Sequence, residues 1–341
     1  MSFEQSGMSR RALLAAAAVL PLSAVAGRAE ASAGRAGAPT TAQAYYDRAA
    51  KVAGRDPILQ NIVKALTPGV SVPSPKAPKP LRIFDNVAVV STGFVSATAL
   101  LTSKGVILID ALGSPAEAEE VIVPDLRAVG VDPAQIKYVV VAHGHSDHFG
   151  GAQYLADRYK ARVMMTAADW DLLAADPQPD APKRDLVITD GQRLTLGDMT
   201  VTLHRTPGHT PGNVSPIFPV RWKGRRHTAM LWGGTQPPAA TADKRTYLAS
   251  VLSFAAQMKR AGVDVELNNH GACDQGLVRM EELRNGPAKG ANPFVIGSAR
   301  AQRFMQVMEL MMRGRIATDL EANKPTTRPA AMTLAPAHTC C

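Results

Sequence analysis

The stretch that decides the fold is VVVAHGHSDHFGG, residues 139–151. Its apolar start reads as the end of a buried strand, which runs directly into four side chains that could bind a metal: His143, His145, Asp147 and His148. A strand end is a rigid base, and the small Gly144 lets the following loop curl so that these side chains converge. Neutral imidazole and carboxylate are ligands suited to zinc. The stretch therefore indicates a metal site at a strand-to-helix junction.

Two other histidines occur in the same setting. His209 follows a predicted strand in TPGHTPGN (206–213), and His270 follows another in ELNNHGAC (266–273). Because α/β folds gather functional groups in the loops beyond strand ends, we expect both to join the first cluster. The cluster would then contain most of the chain's 8 histidines. The others are interpreted as structural, surface or tail residues: His204, His227 and His338.

The rest of the chain alternates strand and helix patterns from residue 81 onward. Short apolar runs separated by turns predict strands, and a helix is predicted over residues 114–130, where Ser114 can cap its start. A strand at 228–234 precedes a helix at 246–262. Two strand-rich blocks, each followed by helices, predict an α/β fold with two sheets inside and helices outside. We expect this domain to cover residues 81–315.

The two ends of the chain differ from this domain. Arg10 and Arg11 precede the apolar run ALLAAAAVL, which is too short to span a bilayer. Residues 1–31 are therefore predicted to be a twin-arginine export signal, and the mature protein to be periplasmic, with no stable membrane anchor once the signal is removed. Residues 32–80 are predicted to form an N-terminal arm containing one helix at about 42–52. Residues 316–341 are predicted to be a disordered tail.

Composition narrows the possible partners and redox chemistry. The formal net charge is +9, but Lys and Arg are scattered, so a nucleic-acid partner is not expected and a small-molecule substrate is. The oligomeric state does not follow from the sequence. The 3 cysteines do not make a disulfide framework: Cys273, Cys340 and Cys341. Cys273 could be an extra metal ligand, but a buried small residue at a helix start is the favoured interpretation.

Together, HGHSDH, PGHTPG and the later NNH resemble the metallo-β-lactamase superfamily over about residues 81–290. The resemblance implies an αββα sandwich of two mixed sheets with helices on the outer faces. It also implies two Zn²⁺ per chain at one sheet edge. On this sequence the first zinc would be held by His143, His145 and His209. The second would be held by Asp147, His148 and His270. Asp110, which ends GVILID, would support a ligand from behind; a plain turn residue is the alternative.

An absence narrows the subgroup. Hydroxyacylglutathione hydrolases and other members usually carry an aspartate that bridges both metals after the strand that here reads TAMLWGGTQPP. This chain has Gly233, Gly234 and Thr235 at that place, with no acidic residue before Asp243 and no cysteine. Subclass B3 metallo-β-lactamases use the same six ligands and no bridging residue, so the chain is most similar to them. It departs from them in NNHG and in the segment 215–228.

The resemblance implies a zinc-dependent hydrolase that opens a β-lactam amide by a metal-bound hydroxide, with Asp147 as the catalytic side chain. Such an enzyme would act in antibiotic resistance. The substrate-binding residues are not assigned. One alternative is a metallo-hydrolase of another ester, lactone or thioester on the same fold. A further alternative is a non-catalytic metal-binding protein.

Overall fold

The computed structural model describes residues 41–286 and 290–323 of the chain. One sheet has 7 strands in sequential order. They are β1 Leu81–Phe84, β2 Val87–Ser91, β3 Ser96–Thr102, β4 Gly105–Ile109, β5 Ile136–Val140, β6 Arg162–Thr166 and β7 Leu186–Ile188. β1 to β4 pair antiparallel, and β4 to β7 pair parallel. This sheet is therefore mixed.

The second sheet has 5 strands in the order β12-β11-β10-β9-β8. They are β8 Gln192–Leu196, β9 Met199–Arg205, β10 Val214–Trp222, β11 Arg225–Trp232 and β12 Val265–Asn268. β8 to β11 are joined antiparallel, whereas β11 and β12 pair parallel. The parallel pair requires a crossover, and a long helix between the two strands provides it.

The described residues also form ten α-helices. They are α1 Ala42–Ala53, α2 Pro57–Leu66, α3 Pro115–Glu117, α4 Val123–Ala128, α5 Ser146–Phe149, α6 Ala152–Tyr159, α7 Ala167–Ala175, α8 Thr241–Ala261, α9 Gly276–Arg284 and α10 Ser298–Ala322. A π-helical segment, Ala118–Ile122, joins α3 to α4, so the helix predicted over 114–130 is interrupted. Within the described ranges, no helix combines the length and apolarity needed to cross a membrane.

Three apolar clusters show how the layers pack. One cluster lies between the sheets and includes Ile107 and Val140 from the first sheet and Leu231 from the second. A second joins the outer face of the first sheet to the helices that include Leu126 and Leu155. A third joins the second sheet to α1, α2, α8 and α10. The fold is therefore mixed α/β with two mixed sheets and outer helices, which confirms the predicted αββα sandwich.

The strand ends of both sheets meet at one edge. β4 and β5 are parallel in a register that pairs Ile109 with Val140, so the loops that follow them are neighbours. Two backbone hydrogen bonds then join the sheets: Val214 N donates to Ala142 O, and Ser96 N donates to Asn269 O, each at 2.8 Å. This edge brings together the loops that carry the candidate metal ligands.

The N-terminal arm differs from its prediction. α1 matches the predicted helix, but α2 was not predicted, although Asp56 and Pro57 are a typical N-cap and first helical residue. Asp56 accepts hydrogen bonds from the first backbone N–H groups of α2. Both helices contribute buried residues to the core cluster with α8 and α10. Residues 42–66 are thus part of the outer helical layer.

The predicted domain end at residue 315 is wrong, because α10 continues to Ala322. Ile316 is buried, and Asp319 accepts hydrogen bonds from Lys244 and Thr241 of α8. These contacts hold the last two turns of α10 against α8. Residues 1–40 and 324–341 lie outside the described residues, so the export signal, the remaining tail and the terminal cysteines stay predictions.

Candidate metal centre

Three loops deliver the predicted side chains to one place. The loop after β5 supplies His143 and His145, and the short helix α5 continues it. The loop between β9 and β10 supplies His209, and the loop after β12 supplies His270. Asp147 and His148 lie in α5 itself. The structure therefore brings together all six side chains that the sequence singled out.

His143, His145 and His209 form the first group. One ring nitrogen from each lies within 4.8 Å of the others. The Nε2 atoms of His143 and His209 are 3.1 Å apart. His143 is fully buried, whereas His145 is exposed, so a small molecule can approach this group from the His145 side.

Asp147, His148 and His270 form the second group. His148 Nε2 lies 3.2 Å from Asp147 Oδ2 and 3.2 Å from His270 Nε2. His270 Nε2 is 3.5 Å from the same carboxylate oxygen. In a tetrahedral site with zinc–nitrogen bonds of about 2.0–2.1 Å, neighbouring ligand atoms are roughly 3.3 Å apart. The spacing of this donor set fits a tetrahedral metal ion.

The tautomers of the histidines explain why their rings face each other. His143 Nδ1 donates to Gly233 O at 2.6 Å, and His209 Nδ1 donates to Gln236 O at 2.7 Å. A carbonyl can only accept, so the proton of each neutral ring is on Nδ1 and the Nε2 lone pairs point at each other. Two lone pairs 3.1 Å apart repel unless a cation lies between them. The first group can therefore hold a metal ion between these lone pairs.

The second group has the same design. His270 Nδ1 donates to Phe94 O at 3.0 Å, and His148 Nδ1 donates to Asp110 Oδ2 at 2.8 Å. Both Nε2 atoms are thereby directed at the gap beside the Asp147 carboxylate. Carbonyl or carboxylate partners of this kind orient metal-binding histidines in many proteins.

The pKa values of the metal-free groups follow from burial and neighbouring charge. Burial lowers the pKa of His209 to about 3 and that of His270 to about 4, so both rings are neutral at pH 7. Burial opposes protonation of His148 as well, but the carboxylates of Asp110 and Asp147 outweigh it and raise the His148 pKa to about 10. Burial disfavours the Asp147 anion, yet His148 and His270 lower the pKa of that carboxyl. A proton therefore competes with a metal at the second group.

Asp110 occupies a strained position that supports its predicted role. Its φ is 64°, which is uncommon for a residue other than glycine, and it is fully buried. Its Oδ1 accepts from Ala142 N at 2.7 Å while its Oδ2 accepts from His148. The carboxylate therefore ties the ring of His148 to the start of the loop after β5. It is not a plain turn residue.

Asn269 is a residue that the sequence analysis missed. Its Nδ2 donates to Gly233 O at 2.8 Å and to Asp110 Oδ2 at 3.2 Å. These are the same two acceptors that orient His143 and His148, so Asn269 links the supports of the two groups. The parallel register that pairs Trp232 with Asn268 places Asn269 beside Gly233. The only sequence signal was its position next to His270.

Gly233 and Gly234 leave no room for an added side chain. A Cβ on Gly234 would lie 2.5 Å from Asn213 Oδ1 and 2.7 Å from His209 Cβ. Thr235 is buried, and its hydroxyl hydrogen-bonds to Asn268. A carboxylate cannot reach the two groups from residues 233–235 as the chain is folded. Cys273 is buried in the core cluster with Trp232 and Tyr247 and belongs to neither donor group.

Comparison with known proteins agrees with this geometry. Residues 90–221 match the family model described as the metallo-β-lactamase superfamily. The chain therefore carries a metallo-β-lactamase superfamily domain, and its structural neighbours are subclass B3 metallo-β-lactamases. The His/Asp cluster is therefore a candidate metal-binding site in a chain that carries this domain.

Two solved structures illustrate the likeness. BJP-1, a subclass B3 metallo-β-lactamase of Bradyrhizobium japonicum, superposes with a TM-score of 0.62 at 24% identity, covering 75% of this chain and 100% of that chain. A metallo-β-lactamase of Cronobacter sakazakii superposes with a TM-score of 0.59 at 27% identity, covering 73% of this chain and 92% of that chain. The whole of BJP-1 is therefore matched in fold.

Curated relatives found by sequence similarity are named for a different activity. The hydroxyacylglutathione hydrolase of Acidiphilium cryptum is 36% identical over 104 residues, which is 30% of this chain and 38% of that protein. The enzyme of the same name from Anaeromyxobacter dehalogenans is 32% identical over 109 residues, covering 36% of its length. The chain thus spans well under half the length of these relatives.

Proposed function

We propose that this protein is a zinc-dependent hydrolase that opens the amide of a β-lactam at a two-zinc site. The observation that carries the proposal is the donor arrangement without a bridging carboxylate. Two groups of three donors converge, and Gly234 packs against His209, close to the first group. The subclass B3 neighbours support the same reading.

The residues present fit zinc by donor type and spacing. His143, His145 and His209 would hold one ion, and Asp147, His148 and His270 the other. When bound, zinc lowers the pKa of a coordinated water to about 7 and polarises a carbonyl. The lowered pKa of Asp147 keeps this carboxylate an anion, so it can accept a hydrogen bond from a water molecule and orient it. The exposed side of His145 leaves room for the amide carbonyl.

A thioester substrate is the second candidate, and the hydroxyacylglutathione hydrolase relatives favour it. Those matches cover less than two fifths of the relatives' length. The crowding around Gly233 and Gly234 argues against the bridging aspartate expected of that class. For this reason the β-lactam is the first choice and a glutathione thioester the competitor to be tested.

The proposed compartment is the periplasm. Support comes from the sequence alone, in which Arg10 and Arg11 precede a short apolar run. A folded export route would allow the three loops to assemble before the chain leaves the cytoplasm.

The deciding experiment measures turnover of nitrocefin and of a glutathione thioester by the zinc-loaded protein. We expect nitrocefin hydrolysis that a chelator abolishes and added zinc restores. His209→Ala should remove it, whereas His204→Ala should not, because His204 lies in β9 and packs on Phe254 outside the cluster. Faster thioester turnover would replace the proposal with the competitor. Bound zinc without turnover of either substrate would favour a non-catalytic metal-binding protein.

A further inference from the structure

Asp169, in the first turn of α7, lies outside both donor groups yet contacts two of the three loops that form them. It is fully buried. Its Oδ2 accepts from Gly144 N and from Thr210 Oγ1, each at 2.8 Å. Its Oδ1 accepts from Gly212 N at 2.8 Å. One carboxylate therefore binds the loop after β5 and the loop between β9 and β10 at the same time.

The Asp169 side chain also packs tightly against the backbone of both loops. A Cβ on Gly212 would lie 2.5 Å from Asp169 Cγ, and a Cβ on Gly144 would lie 3.3 Å from it. Thr166, the N-cap of α7, donates its hydroxyl to Gly212 O at 2.9 Å. The two glycines therefore allow both loops to approach the first turn of α7 far more closely than larger residues could.

The partners of Asp169 lie next to ligands of the first donor group in the chain. Gly144 lies between His143 and His145, and Thr210 follows His209 in the chain. The second group has other supports, since His148 is held by Asp110 and His270 by Phe94 O. The backbone bond from Val214 N to Ala142 O joins the two loops at their strand ends, and Asp169 is the side chain that joins them beside the three rings of the first group.

We propose that Asp169 is a positioning residue that sets the metal affinity of the His143–His145–His209 group alone. This inference rests on the proposed function as a zinc hydrolase. Asp169 receives three donors and therefore needs an acceptor-only side chain. An asparagine of the same shape would turn an N–H toward at least one of them. Loss of a support that orients ligands typically costs about 10–100-fold in metal affinity.

The test is zinc binding measured by competition with a chromophoric chelator, in two backgrounds that each keep one donor group. In His270→Ala, where the first group remains complete, Asp169→Asn should weaken zinc binding by about 10–100-fold. In His209→Ala, where the second group remains complete, the same change should leave zinc affinity unaltered. Asp171→Asn is the matched control, because Asp171 is an exposed aspartate of the same helix that pairs with Arg184.

A milder pair of variants covers the case in which Asp169→Asn does not fold. Thr210→Val removes one donor to Asp169 and should weaken zinc binding in the His270→Ala background. Thr210→Ser keeps the hydroxyl, so zinc binding in that background should stay as tight as with Thr210. Equal losses in both backgrounds, or no loss in His270→Ala, would overturn the inference. Zinc binding by the wild type without nitrocefin turnover would instead overturn only the proposed function, and a wild type that binds no zinc would overturn both.

Discussion

Four histidines of the cluster are oriented by acceptors that lie outside it. His143, His209 and His270 donate from Nδ1 to backbone carbonyls, and His148 donates to a carboxylate. Each ring therefore presents Nε2 to the site before any metal arrives. Fixing the rings in advance reduces the side-chain entropy that metal binding would otherwise have to overcome.

Replacing Asp110 tests this orientation at a single residue. Asp110→Asn keeps a side chain that tolerates positive φ but removes the charge that faces His148. We expect zinc affinity at the second group to fall by about 10–100-fold, measured by chelator competition. Asp264→Asn is the control, since Asp264 makes a similar contact, 2.6 Å to His227 Nδ1, away from the cluster. Unchanged zinc affinity in Asp110→Asn would contradict the orienting role.

At the scale of single residues, the sequence predicted which metal-binding side chains would converge. It did not predict all of the buried residues that hydrogen-bond to these side chains or to their loops. HxHxDH and the two later histidines stand at strand ends, and a strand end is visible in a sequence. Asp169 and Asn269 are buried acceptors or donors whose partners are distant along the chain, such as Gly212 and Gly233. Their roles depend on packing that only the folded chain defines.

Among the elements, the turn after β11 packs tightly against the loop between β9 and β10. Gly234 packs against His209 and Asn213, so the turn crowds a loop that carries a ligand. Gly234→Ala should lower the free energy of unfolding by about 1–3 kcal/mol through overpacking. It should also weaken zinc binding, because the clash pushes on His209.

A variant of a second glycine distinguishes the loss of stability from the loss of zinc affinity. Gly262 follows α8 at φ 66° with open space around its Cα, so Gly262→Ala should be destabilised by backbone strain while zinc affinity stays at the wild-type value. Chemical denaturation and zinc competition of both variants make the comparison. A Gly234→Ala protein that binds zinc as tightly as Gly262→Ala would contradict the crowding.

Element prediction failed where apolar patterning was ambiguous. β10, Val214–Trp222, contains two prolines and is not predicted as a strand from the sequence, yet it is the central strand of the second sheet. Pro219 interrupts the run of N–H donors, which weakens a strand signal in the sequence. α2 was missed because the short apolar run that follows Pro57 lies within an Ala-, Gly- and Pro-rich region.

On the scale of the whole molecule, the N-terminal helices complete the outer layer over the second sheet. Ile62 of α2 is fully buried in the cluster that also contains residues of α8 and α10. Asp56 pairs with Arg300 at 2.5 Å, which fixes the start of α2 against α10. The sequence predicted the layers from local patterns, but the partnership of residues 42–66 with α10 spans most of the chain and has no local signal.

Truncating one side chain tests this layer. Ile62→Ala should lower the free energy of unfolding by about 2–5 kcal/mol, because it leaves a cavity in a packed core. Lys64→Ala, at an exposed position of the same helix, should leave it nearly unchanged. Urea denaturation of the metal-free protein measures both. A loss below about 1 kcal/mol for Ile62→Ala would mean that α2 is only loosely attached.

The two sheets each contribute to the cluster, and its last side chain comes late in the chain. His143 belongs to a loop of the first sheet, whereas His270 follows the last strand of the second. During synthesis, the group formed by Asp147, His148 and His270 therefore cannot be complete until residue 270 has left the ribosomal exit tunnel. Closure of this group requires that strands of both sheets have already been made.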